Sequence, residues 1–204
     1  MEGGGYKSKR EKKKCRVYKM RDELPNEVIQ GTGIFPSFFR REKFGGERFE
    51  SLTMGEDRLW VAKCLVWADE IVMDGRKVYG YRQRGDSAMH SAWTVRKVES
   101  VIDYMVKGLG VYSGCGKKVG MGAMEPFSGI LLAECPKWLA RVGEGADEGW
   151  AHWIKGVGEV DTRLMRFRFR VARRILLCLR FSRRYLYCGA CILRSLGLTR
   201  IRKG

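Results

Sequence analysis

The sequence is poor in histidine and in long apolar runs. It contains two histidines, His90 and His152, which are too few to supply a histidine-based catalytic site. Arg180 and Arg194 interrupt the apolar runs near the C-terminus, which fall far short of the roughly 20 residues that a membrane-spanning helix needs. We therefore expect no transmembrane helix and no enzymatic activity.

The sequence also lacks a regular cysteine framework and a secretory leader. Seven cysteines are an odd number at irregular spacing, which argues against a closed set of disulfides and for a reducing compartment. No apolar stretch of the kind that a signal peptide requires follows the lysine-rich start. We expect a nuclear or cytoplasmic protein that is not secreted.

Acidic residues are scarce at both ends of the chain. Residues 1–21 hold nine Lys/Arg and two acids, residues 22–160 hold eighteen and twenty, and residues 161–204 hold thirteen and one, so the flanks carry the formal net charge of +17. A folded core needs no such excess, and the flanks therefore indicate a polyanionic partner. We divide the chain into a disordered basic arm (1–21), a globular domain (22–160) and an arginine-rich amphipathic segment (161–204).

Two patterns in the middle of the chain predict strands. Residues 58–68 are apolar on both alternating faces, which predicts a central strand that is covered on both sides. Residues 71–73 and 76–81 flank Asp74-Gly75, a two-residue loop that is typical of type I′ hairpins. These patterns predict a small antiparallel sheet.

A third pattern in the middle of the chain predicts a helix. Residues 94–107 place apolar side chains at every third or fourth position, and Gly108 and Gly110 follow as stop signals. Strands followed by a helix are typical of α+β domains. We expect an α+β fold in which the small antiparallel sheet is joined by two or three helices, with the basic arm before it and a basic amphipathic helix after it.

Basic and apolar residues recur through segment 161–204 at helical spacing. In a helix, one set of positions would form a basic side: Arg163, Arg166, Arg170, Arg173 and Arg174. A second set would form an apolar side: Leu164, Phe167, Val171, Ile175 and Cys178. This spacing predicts an amphipathic helix that Asp161 caps at its start. The strict alternation of residues 166–171 also fits a half-exposed strand, which stays open as the alternative.

Guanidinium groups on one surface can bind phosphates through paired hydrogen bonds. We expect a non-enzymatic nucleic-acid-binding protein that holds RNA or DNA by its phosphates at low sequence specificity, of the compact basic kind common among viral accessory proteins. The expected contacts are Lys12, Lys13, Lys14, Arg16, Arg163, Arg166, Arg168, Arg170, Arg173, Arg174, Arg183 and Arg184. The alternative is a helix that lies on an anionic membrane surface or binds a protein partner.

Phenylalanines alternate with basic residues between positions 34 and 49. Exposed rings next to arginines can stack unpaired bases, and Phe38, Phe39 and Phe44 are the candidates. Phenylalanines at this density more often pack as core, so stacking is the alternative for these three.

Cys188-Gly189-Ala190-Cys191 forms a Cys-x-x-Cys motif. Two such cysteines can bind zinc when further ligands lie nearby, and Cys178 is a candidate third ligand. A single pair equally fits buried or interface cysteines. We expect no cofactor, with zinc as the alternative.

Overall fold

The computed structural model describes residues 15–31, 37–74, 92–120, 124–142, 145–165 and 167–178. The strands are β1 (Arg16–Lys19), β2 (Glu23–Leu24), β3 (Glu70–Met73) and β4 (Lys118–Val119). The α-helices are α1 (Asn26–Gly31), α2 (Arg41–Phe44), α3 (Glu56–Trp67), α4 (Val95–Gly114), α5 (Glu125–Gly129), α6 (Cys135–Val142), α7 (Ala146–Glu159) and α8 (Phe167–Cys178). A π-helical turn (Ile130–Glu134) joins α5 to α6, and a 3₁₀ turn (Thr162–Leu164) precedes α8.

The described part of the chain is mostly helical, and α4 lies at its centre. Helices α3, α5, α6 and α7 all pack against α4. The hydroxyl of Thr94 accepts a hydrogen bond from the backbone N–H of Lys97, which satisfies one free donor of the first turn of α4. The predicted helix is confirmed, whereas the prediction of only two or three helices is wrong.

Helix α4 continues past Gly108, where the sequence predicted its end. Gly108 is buried, and a Cβ atom at this position would lie 3.0 Å from the ring of Phe127. The missing side chain lets this ring pack closely against the helix, so tertiary packing outweighs the low helix propensity of glycine. The helix ends at Gly114.

The prediction of a strand over residues 58–68 is wrong, because α3 occupies them. The buried side chains include Leu59, Val61, Ala62, Cys64 and Leu65, which are distributed around the helix. A helix that is buried on most sides shows apolar residues at every spacing, so periodicity alone does not distinguish it from a buried strand. Its twelve residues exceed the common strand length and match a helix.

The small antiparallel sheet is confirmed in the form of two strands, β1 and β3. Val17 pairs with Val72 and Tyr18 pairs with Ile71. Residues 76–81, the predicted hairpin partner of β3, lie outside the described residues. Strand β1 falls within the segment that we predicted as a disordered arm, so the fold includes residues 16–19 of that segment. A second pairing, of β2 with β4, is parallel.

Helix α7 lies close to α4 because a glycine stands at their contact. A Cβ atom on Gly156 would be 2.8 Å from the side chain of Ile102 on α4. One turn earlier on α7, the fully buried Trp153 donates its indole N–H to the backbone oxygen of Leu131, at 2.7 Å. These two contacts fix α7, against which α8 packs.

Candidate nucleic-acid interface

The predicted C-terminal helix is present as α8, and the strand alternative is wrong. Phe169, Ala172 and Leu176 are the buried residues of α8, and they belong to the main core. Their spacing of three and four residues places them on one side of the helix. This side therefore determines which residues of α8 face solvent.

The apolar side predicted for this helix faces away from the core. Phe167 is 72% exposed and Ile175 is 38% exposed, and Cys178 is also exposed. At 100° per residue, Phe167 and Cys178 lie on the opposite side of the helix from Phe169 and Leu176, and Ile175 lies on the flank between the two sides. The sequence contains two apolar stripes on α8, and periodicity alone does not show which one the core takes.

Arg168 was predicted to bind phosphate, but it forms an ion pair inside the protein. Its guanidinium group contacts the carboxylate of Glu125 at the start of α5. The two side chains are 20% and 7% exposed. The Arg168 guanidinium also lies 4.7 Å from the centre of the Phe169 ring. Arg168 thus joins α8 to α5 and is not placed to bind an external phosphate.

Arg173 is also directed toward the protein. Its Nε donates to the backbone oxygen of Val157 at 2.6 Å, and its Nη2 donates to that of Gly158 at 2.7 Å. Burial, and then the nearby charge of Arg174, lower the pKa of Arg173. These two oxygens belong to the last turn of α7, where carbonyl groups have no partner within the helix. Arg173 therefore caps α7.

Arg163 is exposed, but an acidic neighbour occupies its guanidinium group. Its Nε lies 2.9 Å and its Nη2 lies 2.6 Å from Oδ2 of Asp161. This hydrogen bonding lowers the pKa of the Asp161 carboxyl to about 2 and raises the pKa of Arg163. The prediction that Asp161 caps the amphipathic helix is wrong: its side chain accepts from the backbone N–H of Arg163 and caps the 3₁₀ turn Thr162–Leu164, whereas α8 begins at Phe167. The charge of Arg163 is largely compensated.

Arg170 and Arg174 are the two described arginines of α8 that face solvent. They lie four residues apart, which places their Cβ atoms about 6 Å from each other on one face. The guanidinium of Arg170 lies 5.9 Å from the ring centre of the exposed Phe167. Arg16 is also exposed, on β1. The remaining predicted contacts lie outside the described residues: Lys12, Lys13, Lys14, Arg166, Arg183 and Arg184.

The three candidate stacking residues differ in exposure. Phe39 and Phe44 are half-buried and meet edge to face, with ring centres 6.0 Å apart. Phe39 also packs against Trp60, with ring centres 4.7 Å apart. Phe38 is 99% exposed. Phe38 alone among the three therefore presents an open ring.

The zinc alternative has no structural support within the described ranges. Cys178 is exposed at the last residue of α8, and Cys188 and Cys191 lie outside the described residues. The described residues contain no cluster of three or more His, Cys, Asp or Glu side chains that could hold a metal ion. In the same ranges, no helix is long and apolar enough to cross a bilayer.

Sequence reasoning missed a polar cleft that is lined by residues 51–53, by α4 and by His152 of α7. Nε2 of His152 on α7 lies 2.7 Å from Oδ1 of Asp103 on α4. The two side chains line a cleft of about 290 Å³ together with Arg96, Glu99 and Ser100. The four α4 residues of this cleft, which are Arg96, Glu99, Ser100 and Asp103, recur at helical spacing. This polar stripe is the sequence pattern that could have indicated the cleft. In the structure the His152–Asp103 contact joins the two helices.

Comparisons of the chain with protein-family models, with curated proteins and with solved structures gave no match.

Proposed function

We propose that the protein binds nucleic acid without catalysis, through phosphate contacts of its basic C-terminal segment. The observation that carries the proposal is the exposed pair of Arg170 and Arg174 on α8, within a segment of thirteen basic residues and one acid. Guanidinium groups bind phosphate oxygens in paired geometry. Two such groups one helical turn apart can contact a nucleic-acid backbone without reading bases.

The proposal assigns different roles to the arginines of one helix. Arg168 and Arg173 hold α8 against α5 and α7, whereas Arg170 and Arg174 face the ligand. The buried residues Phe169, Ala172 and Leu176 fix the orientation of α8, and this orientation determines which arginines face the protein and which face solvent. Phosphate contacts beyond α8 are proposed for the basic residues of segments 1–14 and 179–204.

The test compares the salt dependence of binding for the double variant Arg170→Gln/Arg174→Gln. Each phosphate contact contributes about 0.9 to the slope of log affinity against log salt on duplex DNA, so loss of both contacts should reduce that slope by about 2. The loss should be equal for unrelated base sequences. Fluorescence anisotropy with labelled oligonucleotides between about 50 and 200 mM salt measures both quantities.

The matched control removes the same charge elsewhere. Arg58 on α3 and Arg141 on α6 are both exposed. The variant Arg58→Gln/Arg141→Gln should keep the slope of the wild-type protein. An α8 variant with an unchanged slope, or a control variant with an equal loss, would contradict the proposal.

A second candidate function is binding to an anionic membrane surface. The observation that favours it is the exposed ring of Phe167, with Cys178 on the same side of α8 as Arg174 and the exposed Ile175 on the adjoining flank. A basic helix with exposed apolar residues can lie in a lipid interface. Under this alternative, Phe167→Ser/Ile175→Ser abolishes flotation with anionic liposomes and leaves oligonucleotide affinity intact. The proposed nucleic-acid function predicts salt-dependent oligonucleotide binding for the wild-type protein.

A further inference from the structure

Five aromatic residues lie in α3 and in the segment before it; ring contacts link four of them, and Phe38 adjoins this group only as the sequence neighbour of Phe39. This aromatic patch consists of Phe38, Phe39, Phe44, Phe49 and Trp60. The rings of Phe39 and Phe49 both contact Trp60, with ring centres 4.7 and 5.5 Å apart. The indole N–H of Trp60 donates to the backbone oxygen of Glu47 at 3.3 Å. The inner rings of the patch are therefore fixed to α3.

Two rings of the aromatic patch are open to solvent. Phe38 is 99% exposed and Phe49 is 53% exposed. Burial of a phenylalanine side chain contributes roughly 1.5–3 kcal/mol to folding. Phe38 contributes almost none of this, since its ring contacts water instead of the core. Folding thus gives no reason for an aromatic residue at this position.

Three arginines lie within one to three residues of the open rings in the sequence. Arg40, Arg41 and Arg48 are exposed, and within the described residues no ion pair engages them. The nearby acids Glu42 and Glu47 compensate part of this charge. The patch remains net positive on its outer surface.

Other charged groups in this segment pair with the folded protein. Lys43 pairs with Asp69 after α3, and Glu50 pairs with Lys63 and Lys107. Hydrogen bonding to Lys107, then to Lys63, lowers the pKa of the Glu50 carboxyl, and burial opposes this effect. These pairs hold the segment against α3 and α4, so the open rings stand on an anchored support.

We propose that the aromatic patch stacks the bases of single-stranded nucleic acid, with Phe38 as the principal stacking residue. This inference rests on the proposed nucleic-acid function and specifies its ligand as a strand with unpaired bases. An open aromatic ring can stack on any base, and adjacent arginines can contact the phosphates on either side. In a duplex the base faces are covered by neighbouring base pairs, so Phe38 discriminates single strands from duplexes.

The test uses two single strands of equal length and charge. One is oligodeoxythymidylate, and the other is an abasic deoxyribose-phosphate strand that offers phosphates without bases. Loss of a stacked base costs about five- to 150-fold in affinity, so Phe38→Ser should weaken binding to oligodeoxythymidylate by a factor in that range. Its affinity for the abasic strand and for duplex DNA should match that of the wild-type protein.

Two further variants control for folding and for the general loss of an aromatic ring. Phe38→Trp keeps a ring at this position and should retain wild-type affinity, with tryptophan fluorescence quenched on binding. Trp67→Ser removes an exposed aromatic ring from the end of α3, outside both proposed binding surfaces, and should leave the preference for oligodeoxythymidylate over the abasic strand unchanged. Far-ultraviolet circular dichroism confirms that each variant is folded.

The outcomes separate this inference from the proposed function. If Phe38→Ser binds oligodeoxythymidylate as tightly as the wild-type protein, or if Trp67→Ser loses the same affinity, base stacking at the patch is refuted. Salt-dependent binding to the abasic strand would then still support phosphate contacts by α8. If the wild-type protein binds none of the three probes, both the inference and the proposed function are refuted.

Discussion

The ion pair of Glu125 and Arg168 provides the strongest test of how α8 is held. These side chains are 7% and 20% exposed, and they connect the start of α5 to α8. We consider the single variant Arg168→Met, which keeps an unbranched side chain and removes the charge. The Glu125 carboxylate would then be buried without its cation. Breaking a buried pair in this way costs about 3–5 kcal/mol, because the remaining charge is desolvated without compensation.

This cost is large compared with the total stability of a domain, which is about 5–15 kcal/mol. At about 2–4 °C per kcal/mol for a chain of this size, the melting temperature should fall by roughly 6–20 °C. The double variant Glu125→Leu/Arg168→Met should recover most of the loss, since replacing a buried pair by apolar residues is often neutral or stabilising. Urea unfolding followed by circular dichroism for the four proteins of this double-mutant cycle gives the coupling energy.

Two results would refute this reasoning. The first is Arg168→Met with wild-type stability, which would mean that water solvates the carboxylate in the folded protein. The second is a double variant that is less stable than either single variant. Oligonucleotide binding adds an independent criterion, since Arg168→Met should keep the wild-type salt slope under conditions in which it is folded.

Three further predictions follow from other parts of the fold. Cys178 should react with iodoacetamide in the native protein, whereas Cys64 and Cys135 should react only after unfolding. Burial covers the thiols of Cys64 and Cys135 and raises their pKa values. Peptide mass spectrometry identifies the modified cysteines. Glu50→Gln should destabilise the protein by less than about 1 kcal/mol near neutral pH. The difference in unfolding free energy between the variant and the wild-type protein should disappear as the pH falls through the pKa of the Glu50 carboxyl, which lies below its ordinary value of 4.5. Urea unfolding at several pH values measures this difference, and a difference that is independent of pH would contradict the prediction. Trp153→Phe should cost about 1–3 kcal/mol in urea unfolding, because a buried backbone oxygen loses its donor, and wild-type stability would contradict this.

The sequence predicted elements with clear periodicity better than elements that are buried on most sides. Helix α4 has one apolar stripe, and the sequence located it correctly up to Gly108. Helix α3 has apolar residues around most of its surface, and the same type of reasoning assigned it as a strand. Strand β3 pairs with β1, about fifty residues earlier in the chain, and the sequence did not predict this partner; the predicted partner, residues 76–81, lies outside the described residues. Such long-range pairings have no local signal.

For the candidate interface, the sequence indicated a basic segment but not the direction of its side chains. Composition alone showed that basic residues are concentrated after residue 160. It did not show that Arg168 and Arg173 are directed inward, because their partners lie on α5 and at the end of α7. The exposure of Phe38, with Phe39 packed beside it, likewise depends on the position of Trp60 on α3. These distinctions require the tertiary structure.

Asp161 offers a test in which affinity should rise rather than fall. Its carboxylate engages the guanidinium of Arg163, so an asparagine at this position leaves that guanidinium largely uncompensated. If α8 and its approach contact phosphates, Asp161→Asn should increase the salt slope by up to about 1, as one added contact would.

The double variant Asp161→Asn/Arg163→Gln is the matched control for this gain. It keeps the asparagine but removes the released charge, and it should return the slope to the wild-type value. Asparagine is also an accepted capping residue, so the 3₁₀ turn should persist in both variants. An Asp161→Asn variant with unchanged or weaker oligonucleotide binding would show that the ligand does not contact Arg163, and the phosphate contacts would then have to come from Arg170 and Arg174 and from the basic segments 1–14 and 179–204.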